Sequence, residues 1–349
     1  MPLEVILKAP KTIGLAEYED RDPTGKEVMV RTLVSGIKSG TEINLYRGAV
    51  PFVDEVWDPG LRLFRPAGES EKPAPFFPHT LGSWAAGKVD AVGPRARRFK
   101  PGDLVHGEWR HRQTAILEED RLYPVAGQVD CETMVFTDPA RFALASIHDA
   151  GVKLGDRAVI FGLGAIGMLA LQMARLDGAV RVFVVDPIPG RLDLARSLGA
   201  DEAINPTECD VGIAVKELTE NDGVDVAIEV SGSYAALQQA LRCVHEGGLV
   251  VAASYYAEQP VRLDLSREWH HNRITLRSSM PVWECPHRSY PMWDLSRLEQ
   301  VAIGLLQDGS LQVKPLIGAR IPFERAGEAY ALIDQSPDER VKFLLTYQG

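Results

Sequence analysis

Hydrophobic patterning along the chain has two textures. Through residues 1–137 the apolar positions come in short alternating runs, such as EVMVRTLV (Glu27 to Val34) and GKVDAVG (Gly87 to Gly93), separated by glycine and proline. Period-two alternation bounded by turn residues predicts half-buried β-strands. FKPGDLVHG (Phe99 to Gly107) predicts a turn at Pro101 and Gly102 that feeds a strand. From about residue 139 the runs become continuous: RAVIFGLG, RVFVVDP, VDVAIEVSG, GLVVAASYY and ITLRSSM. They alternate with helical segments that begin at Ala165, Pro189, Val211 and Tyr234. Unbroken Val, Ile and Ala strands belong to a parallel sheet covered on both faces, so this half predicts a doubly wound α/β domain. After residue 290 come a helix, SRLEQVAIGLLQDG, then IPFERAGEAYALIDQ and a closing strand, VKFLLTYQG.

Two stretches fit neither period. Ala49 to Pro78 is rich in proline and aromatics, and Trp57, Phe64, Phe76 and Phe77 suit a surface excursion and a substrate-covering loop equally. SGIKSGTEINLYRG, Ser35 to Gly48, is polar and glycine-punctuated and reads as an active-site loop, yet it holds no cysteine or histidine.

The strongest chemical signal opens the second texture. VIFGLGAIG places Gly162, Gly164 and Gly167 in GxGxxG spacing, directly after a strand and at the start of a helix. Gly162 permits the tight turn, Gly164 lets the backbone approach a pyrophosphate, and Gly167 lets helix and strand pack closely. The helix N-terminus, with Ala165 and Ile166, then offers unpaired N–H groups to phosphate. Asp186 ends the next strand, where an acid accepts hydrogen bonds from the adenosine ribose and repels a 2′-phosphate. The expected cofactor is NAD, with Arg191 against its adenosine end.

Composition narrows the rest by exclusion. Across 349 residues, 48 acids outweigh 38 bases and no basic run exceeds RARR (Arg95 to Arg98), so nucleic acid is not an expected partner. No run approaches 18 apolar residues and the N-terminus has no signal-peptide pattern, so no membrane span or export is expected. Cys131, Cys209, Cys243 and Cys285 form no CxxC pair, which excludes a cysteine-rich zinc lobe and favours free thiols in the cytoplasm.

GIKSGTE, PHTLGSWAAGKVDAVG, FKPGDLV, DPARFALASIHDAGVKLGDRAVIFGLGAIG, LGADEAIN and PLIGARIPFERAGEAY together resemble the medium-chain dehydrogenase/reductase superfamily, alcohol and sorbitol dehydrogenases among its members. The resemblance implies a β-rich GroES-like catalytic domain over residues 1–138 and 290–349 and a Rossmann NAD-binding domain over 139–289. It also implies cofactor contacts at Ser231, Ser254 and Ser278. In zinc members a cysteine ligand precedes a G-[ST]-D triplet; here the triplet is Gly40, Thr41 and Glu42, preceded by Ser39 and Lys38. The Gly-His-Glu signature is replaced by Gly82, Ser83 and Trp84, and of the usual ligands Asp138 alone survives. Zinc needs three good ligands, which Ser39, Ser83 and Trp84 do not supply. His270 and His271, read as neighbours on a strand, point to opposite faces. A rebuilt site would have to draw on His79, His106 or His111 with Asp138. The reading is a zinc-less member, and SGIKSGTE with HHNRITLRSS resembles a branch containing bacteriochlorophyllide dehydrogenases, whose members commonly carry serine at the position of Lys38.

Without zinc, removing the alcohol proton falls to side chains. Thr41 matches the family's hydroxyl that contacts the substrate oxygen. Lys38 is the expected base or electrostatic stabiliser, since a lysine partly removed from water exchanges protons more readily. Glu42 would orient Lys38 or brace the turn, and Asp138 would be a second acid–base group. Ser39, Ser83, Trp84 and His111 line the expected substrate pocket. The expected reaction is hydride transfer between NAD and a secondary alcohol of a polyol, cyclitol or sugar derivative. Two alternatives stay open: a zinc-less enone or quinone reductase, and a dinucleotide-binding protein without catalysis. By resemblance the chain forms a homodimer or homotetramer through ITLRSSM.

Overall fold

The computed structural model describes residues 1–49, 54–68, 71, 76–256, 263–281, 293–335 and 340–348. They form two compact units: Met1–Tyr123 with Ile321–Pro337 and Leu345–Gly349, and Pro124–Arg320 with Asp338–Leu344. The helices Thr137–Ala150 and Leu295–Gln307 fall in the second unit.

The first unit is built on the strand Glu27–Gly36, which pairs antiparallel with Trp84–Val92 on one side and Thr114–Glu118 on the other. Trp84–Val92 in turn pairs with Leu104–Gly107. Alternation sends Val28 and Val30 inward against Ala85, Val89, Val105, Trp109 and Leu117, forming the unit's core. Trp109 satisfies its indole N–H on Thr32 Oγ1 at 3.0 Å, so the largest core side chain leaves no donor stranded. A second small sheet joins Thr12–Glu17, Leu3–Ala9 and His79–Thr80.

Two sequence expectations change here. Residues Ser39–Tyr46, read as loop, form a helix. The Lys38 carbonyl accepts the N–H groups of Thr41 and Glu42, while Glu42 Oε1 accepts the Lys38 N–H at 3.2 Å. This reciprocal closure resembles a capping box and substitutes for the apolar periodicity the stretch lacks. Within Ala49 to Pro78, strands Glu55–Asp58 and Leu63–Pro66 form a hairpin with Trp57 and Phe64 edge to face at 5.1 Å. Both rings are 39% exposed, which suits the surface-excursion reading of this part. Residues 50–53, 69–70 and 72–75 of that stretch lie outside the described ones.

The second unit is a six-stranded parallel sheet with the order Glu202–Ile204, Arg181–Val185, Arg157–Phe161, Val224–Glu229, Val244–Ala252, Thr275–Ser278. Helices Ala165–Leu176, Pro189–Ser197, Val211–Leu218 and Tyr234–Cys243 start where the sequence pattern placed them. Ala158 to Phe161 and Val182 to Val185 are all buried, as strands covered on both faces must be. Strand order reverses between Arg157–Phe161 and Val224–Glu229, and ligands of doubly wound sheets bind beyond the strand ends at that switch point. His270 and His271 lie on a short helix, Glu268–His271, and not on a strand, so the opposite-face argument does not apply to them. Their rings stand 5.7 Å apart at 84°.

Candidate active site

The Gly-rich turn sits at the switch point. Gly162 has φ +93°, and a Cβ there would lie 2.8 Å from the Ser231 side chain. At Gly167 a Cβ would come within 1.8 Å of the Gly162 carbonyl oxygen, so helix and turn touch through backbone alone. Gly164 differs. Its φ is −74° and a Cβ would meet nothing within 4 Å. Gly164 is also the N-cap of Ala165–Leu176 and makes no side-chain cap, which leaves the helix's first N–H groups to a ligand. Closed backbone contacts on either side of an open position form a pyrophosphate cradle.

Asp186 is 4% exposed, and its two oxygens accept the N–H groups of Leu163 at 2.7 Å and Ile188 at 3.0 Å. The acid is thereby fastened to the Gly-rich turn, with one lone pair left on each oxygen. Arg191 donates to the Arg340 carbonyl at 3.2 Å. Ser231 donates to Glu229 through both its N–H, at 2.7 Å, and its hydroxyl. Ser254 borders Gly232, and Ser278 lies exposed on the edge strand opposite Ala252.

Sequence reasoning missed Glu229. It is fully buried at the end of Val224–Glu229 and also receives the Gly232 N–H and the Tyr256 hydroxyl. Burial raises its pKa above the usual carboxylate range against those donors. An acid closing the apolar run VAI, Val226 to Ile228, was the available signal.

In the first unit, Lys38 is the N-cap of the helix and half-buried, Ser39 is half-buried in its first turn, Thr41 is exposed and Glu42 is buried. Glu42 Oε2 accepts from His111 Nε2 at 3.2 Å and from the Tyr330 hydroxyl. Burial pushes the Glu42 carboxyl up, but His111, Tyr330 and the Lys38 N–H together hold it below the usual value, so it stays ionised at neutral pH. His111 Nδ1 meets Ser35 Oγ at 2.7 Å, so both ring nitrogens are engaged. Trp84 is 2% exposed and donates its indole N–H to His106 Nδ1 at 3.2 Å. Burial pushes the His106 imidazole down to about 3, and it is neutral. His79 stacks on Phe76 at 4.3 Å. Asp138, in the second unit, is buried and accepts from Arg141 at 3.0 Å, and Arg141 also pairs with Glu299.

The Zinc-binding dehydrogenase family model matches residues 165–296. D-guloside 3-dehydrogenase of Escherichia coli (strain K12) is 34% identical over 349 residues, covering 99% of each chain. The chain belongs to the medium-chain dehydrogenase/reductase superfamily. As a superfamily member it is an oxidoreductase. Its fold agrees with that of an Escherichia coli oxidoreductase/dehydrogenase of unknown specificity (TM-score 0.80, 22% identity, 100% of each chain). Galactitol-1-phosphate dehydrogenase from Escherichia coli shares the fold as well (TM-score 0.77, 20% identity, 99% of each chain).

The cradle suits the nicotinamide dinucleotide that dehydrogenases of this superfamily use. The superfamily's catalytic zinc does not fit the donor set. Ser39, Ser83 and Trp84 occupy ligand positions, the Trp84 indole nitrogen carries a hydrogen already given to His106, and both nitrogens of His111 are taken. Among the described residues no group of three or more His, Cys, Asp or Glu could hold a metal ion. Likewise, no helix among them is long and apolar enough to cross a membrane.

Two outcomes follow from this geometry. Gly164→Ala should fold with an unchanged thermal transition, because its Cβ meets nothing, yet bind dinucleotide about tenfold more weakly or worse in a fluorescence titration. Unchanged affinity would show that the pyrophosphate does not approach there. Glu229 has a raised folded-state pKa, so its contribution to stability is full below the unfolded value and is lost as pH rises through the folded one. Glu229→Gln should therefore flatten the fall in thermal midpoint as pH rises above the ordinary carboxylate range. A variant falling as steeply as the parent would assign that fall to other groups.

Proposed function

We propose that this protein is an NAD-dependent dehydrogenase that oxidises a secondary hydroxyl of a sugar glycoside or related polyol or cyclitol without catalytic zinc. The observation that carries the reading is the replacement of zinc donors by Ser39, Ser83 and Trp84 in a chain 34% identical, end to end, to D-guloside 3-dehydrogenase. Bound NAD supplies the hydride acceptor. NAD is favoured over NADP because Asp186, bonded to the Leu163 N–H, places a carboxylate where a 2′-phosphate would be repelled. The same carboxylate disfavours an NADPH-dependent enone or quinone reductase.

The chain's own groups then handle the proton. Thr41, exposed on the first helical turn, bonds the substrate oxygen, and Lys38 receives the hydroxyl proton as the carbonyl forms. Glu42 fixes the turn and does not itself exchange the proton, since its donors keep it ionised. Asp138 serves as the second acid–base group, with its orientation set by Arg141. Two copies pair along Thr275–Ser278, an edge strand with four exposed residues. The free thiols Cys131, Cys209 and Cys243 suit the reducing cytoplasm.

The test is reduction of NAD and NADP by purified protein over a panel of glycosides, cyclitols, polyols and simple secondary alcohols. Glycosides with NAD should give the highest kcat/KM, and Lys38→Met should lower kcat by a factor of about 10² to 10⁴, the span usual for general acid–base groups. A preference for NADP, or full turnover by Lys38→Met, contradicts the assignment.

A further inference from the structure

The first unit contains a buried hydrogen-bonded chain that ends on the turn assigned to catalysis. Glu42 Oε1 holds the Lys38 N–H at 3.2 Å, and Glu42 Oε2 takes His111 Nε2 at 3.2 Å and the Tyr330 hydroxyl. His111 Nδ1 meets Ser35 Oγ at 2.7 Å, and Ser35 Oγ meets the Tyr347 hydroxyl at 2.9 Å. Polarity follows from the carboxylate. An ionised carboxylate only accepts, so Nε2 carries the hydrogen that reaches Glu42, while Nδ1 and the Tyr347 hydroxyl share Ser35 Oγ. His111, Ser35 and Tyr330 are each 0% exposed.

The anchors of this chain are far from the turn in sequence. Tyr330 belongs to the helix Ala326–Gln335, and Tyr347 follows the last strand, its N–H bonded to the Leu33 carbonyl at 3.1 Å. The His111 backbone is itself tied down, its N–H to Leu81 at 2.8 Å and its carbonyl to the Val5 N–H at 2.8 Å. Gly82, with φ +111°, fits against it so closely that a Cβ would lie 2.3 Å from the His111 nitrogen. A fixed imidazole thus grips a carboxylate that grips the Lys38 N–H.

We propose that His111 is a positioning residue: by donating Nε2–H to Glu42 it sets the turn Lys38–Thr41, and hence the Lys38 amine and Thr41 hydroxyl, in reactive register. The inference rests on the reading of that turn as catalytic. Misplacing a reacting group by about 1 Å costs on the order of 10² in rate, so release of the turn is visible in turnover before it is visible in folding.

Asparagine and glutamine at 111 separate the two ring nitrogens. His111→Asn keeps an acceptor near Nδ1 for Ser35 but cannot reach Glu42, whereas His111→Gln places an amide N–H near Nε2. His111→Asn should lower kcat by about ten- to a hundredfold, with dinucleotide affinity and KM for NAD within about twofold of the parent. His111→Gln should recover most of kcat. The proposal is overturned if His111→Asn keeps parental kcat, or if His111→Gln is equally impaired, which would make ring volume the determinant. Should His111→Asn fail to bind dinucleotide or fold, Tyr330→Phe carries the test. It removes one donor from the same Glu42 oxygen and should lower kcat severalfold, and an unchanged kcat overturns the proposal. Lys38→Met measured alongside keeps the two claims apart. If Lys38→Met retains turnover the catalytic reading fails, and if only the position 111 variants retain it the positioning role alone fails.

Discussion

At Gly167 the helix Ala165–Leu176 lies so close to the preceding turn that a single Cβ would stand 1.8 Å from the Gly162 carbonyl oxygen. That backbone contact aligns the helix axis with the turn, and the other features of the cradle depend on it. The contact leaves the helix's first N–H groups facing outward and keeps Gly164 open, while the Leu163 N–H is directed at Asp186. Glu229, receiving Ser231 and Gly232, closes the neighbouring turn against Gly162. A parallel sheet buried on both faces supplies the rigidity, because strand ends flanked by packed helices cannot drift.

Glu42 plays the corresponding part in the other unit. A buried carboxylate is tolerable when its lone pairs are met, and here His111, Tyr330 and the Lys38 N–H meet them. In zinc members of the superfamily a metal organises this region. In this chain serine and tryptophan stand at the positions that resemble the ligand sites, and a hydrogen-bonded lattice around Glu42 holds the turn. Such a lattice fixes geometry but lowers no alcohol pKa, and under the proposed function the proton passes to a side chain, Lys38.

The parallel half was legible in the sequence because its signals are local. Continuous apolar strands, helix starts at Ala165, Pro189, Val211 and Tyr234, and the glycine spacing each carry their own physics within a few residues. The helix Ser39–Tyr46 was not legible. It carries little apolar periodicity and is held by Glu42 reaching back to Lys38, while Glu42 is held by His111, 69 positions away, and Tyr330, 288 positions away. Partners so distant leave no pattern in a window. The engagement of both His111 nitrogens was hidden for the same reason, and the short helix at His270 and His271 lay inside a stretch whose flanks read as strand. Glu229 was an intermediate case, visible as an odd acid in an apolar run but without a stated partner.

The central claim is that the proton of the alcohol is handled by side chains and not by a metal. The most direct measurement is turnover of the best substrate by protein freed of metal with a strong chelator, with residual zinc quantified in the same sample by elemental analysis. The account predicts that zinc well below one ion per chain leaves kcat unchanged, and that added zinc does not raise it. Loss of turnover on metal removal, restored by stoichiometric zinc, would contradict it.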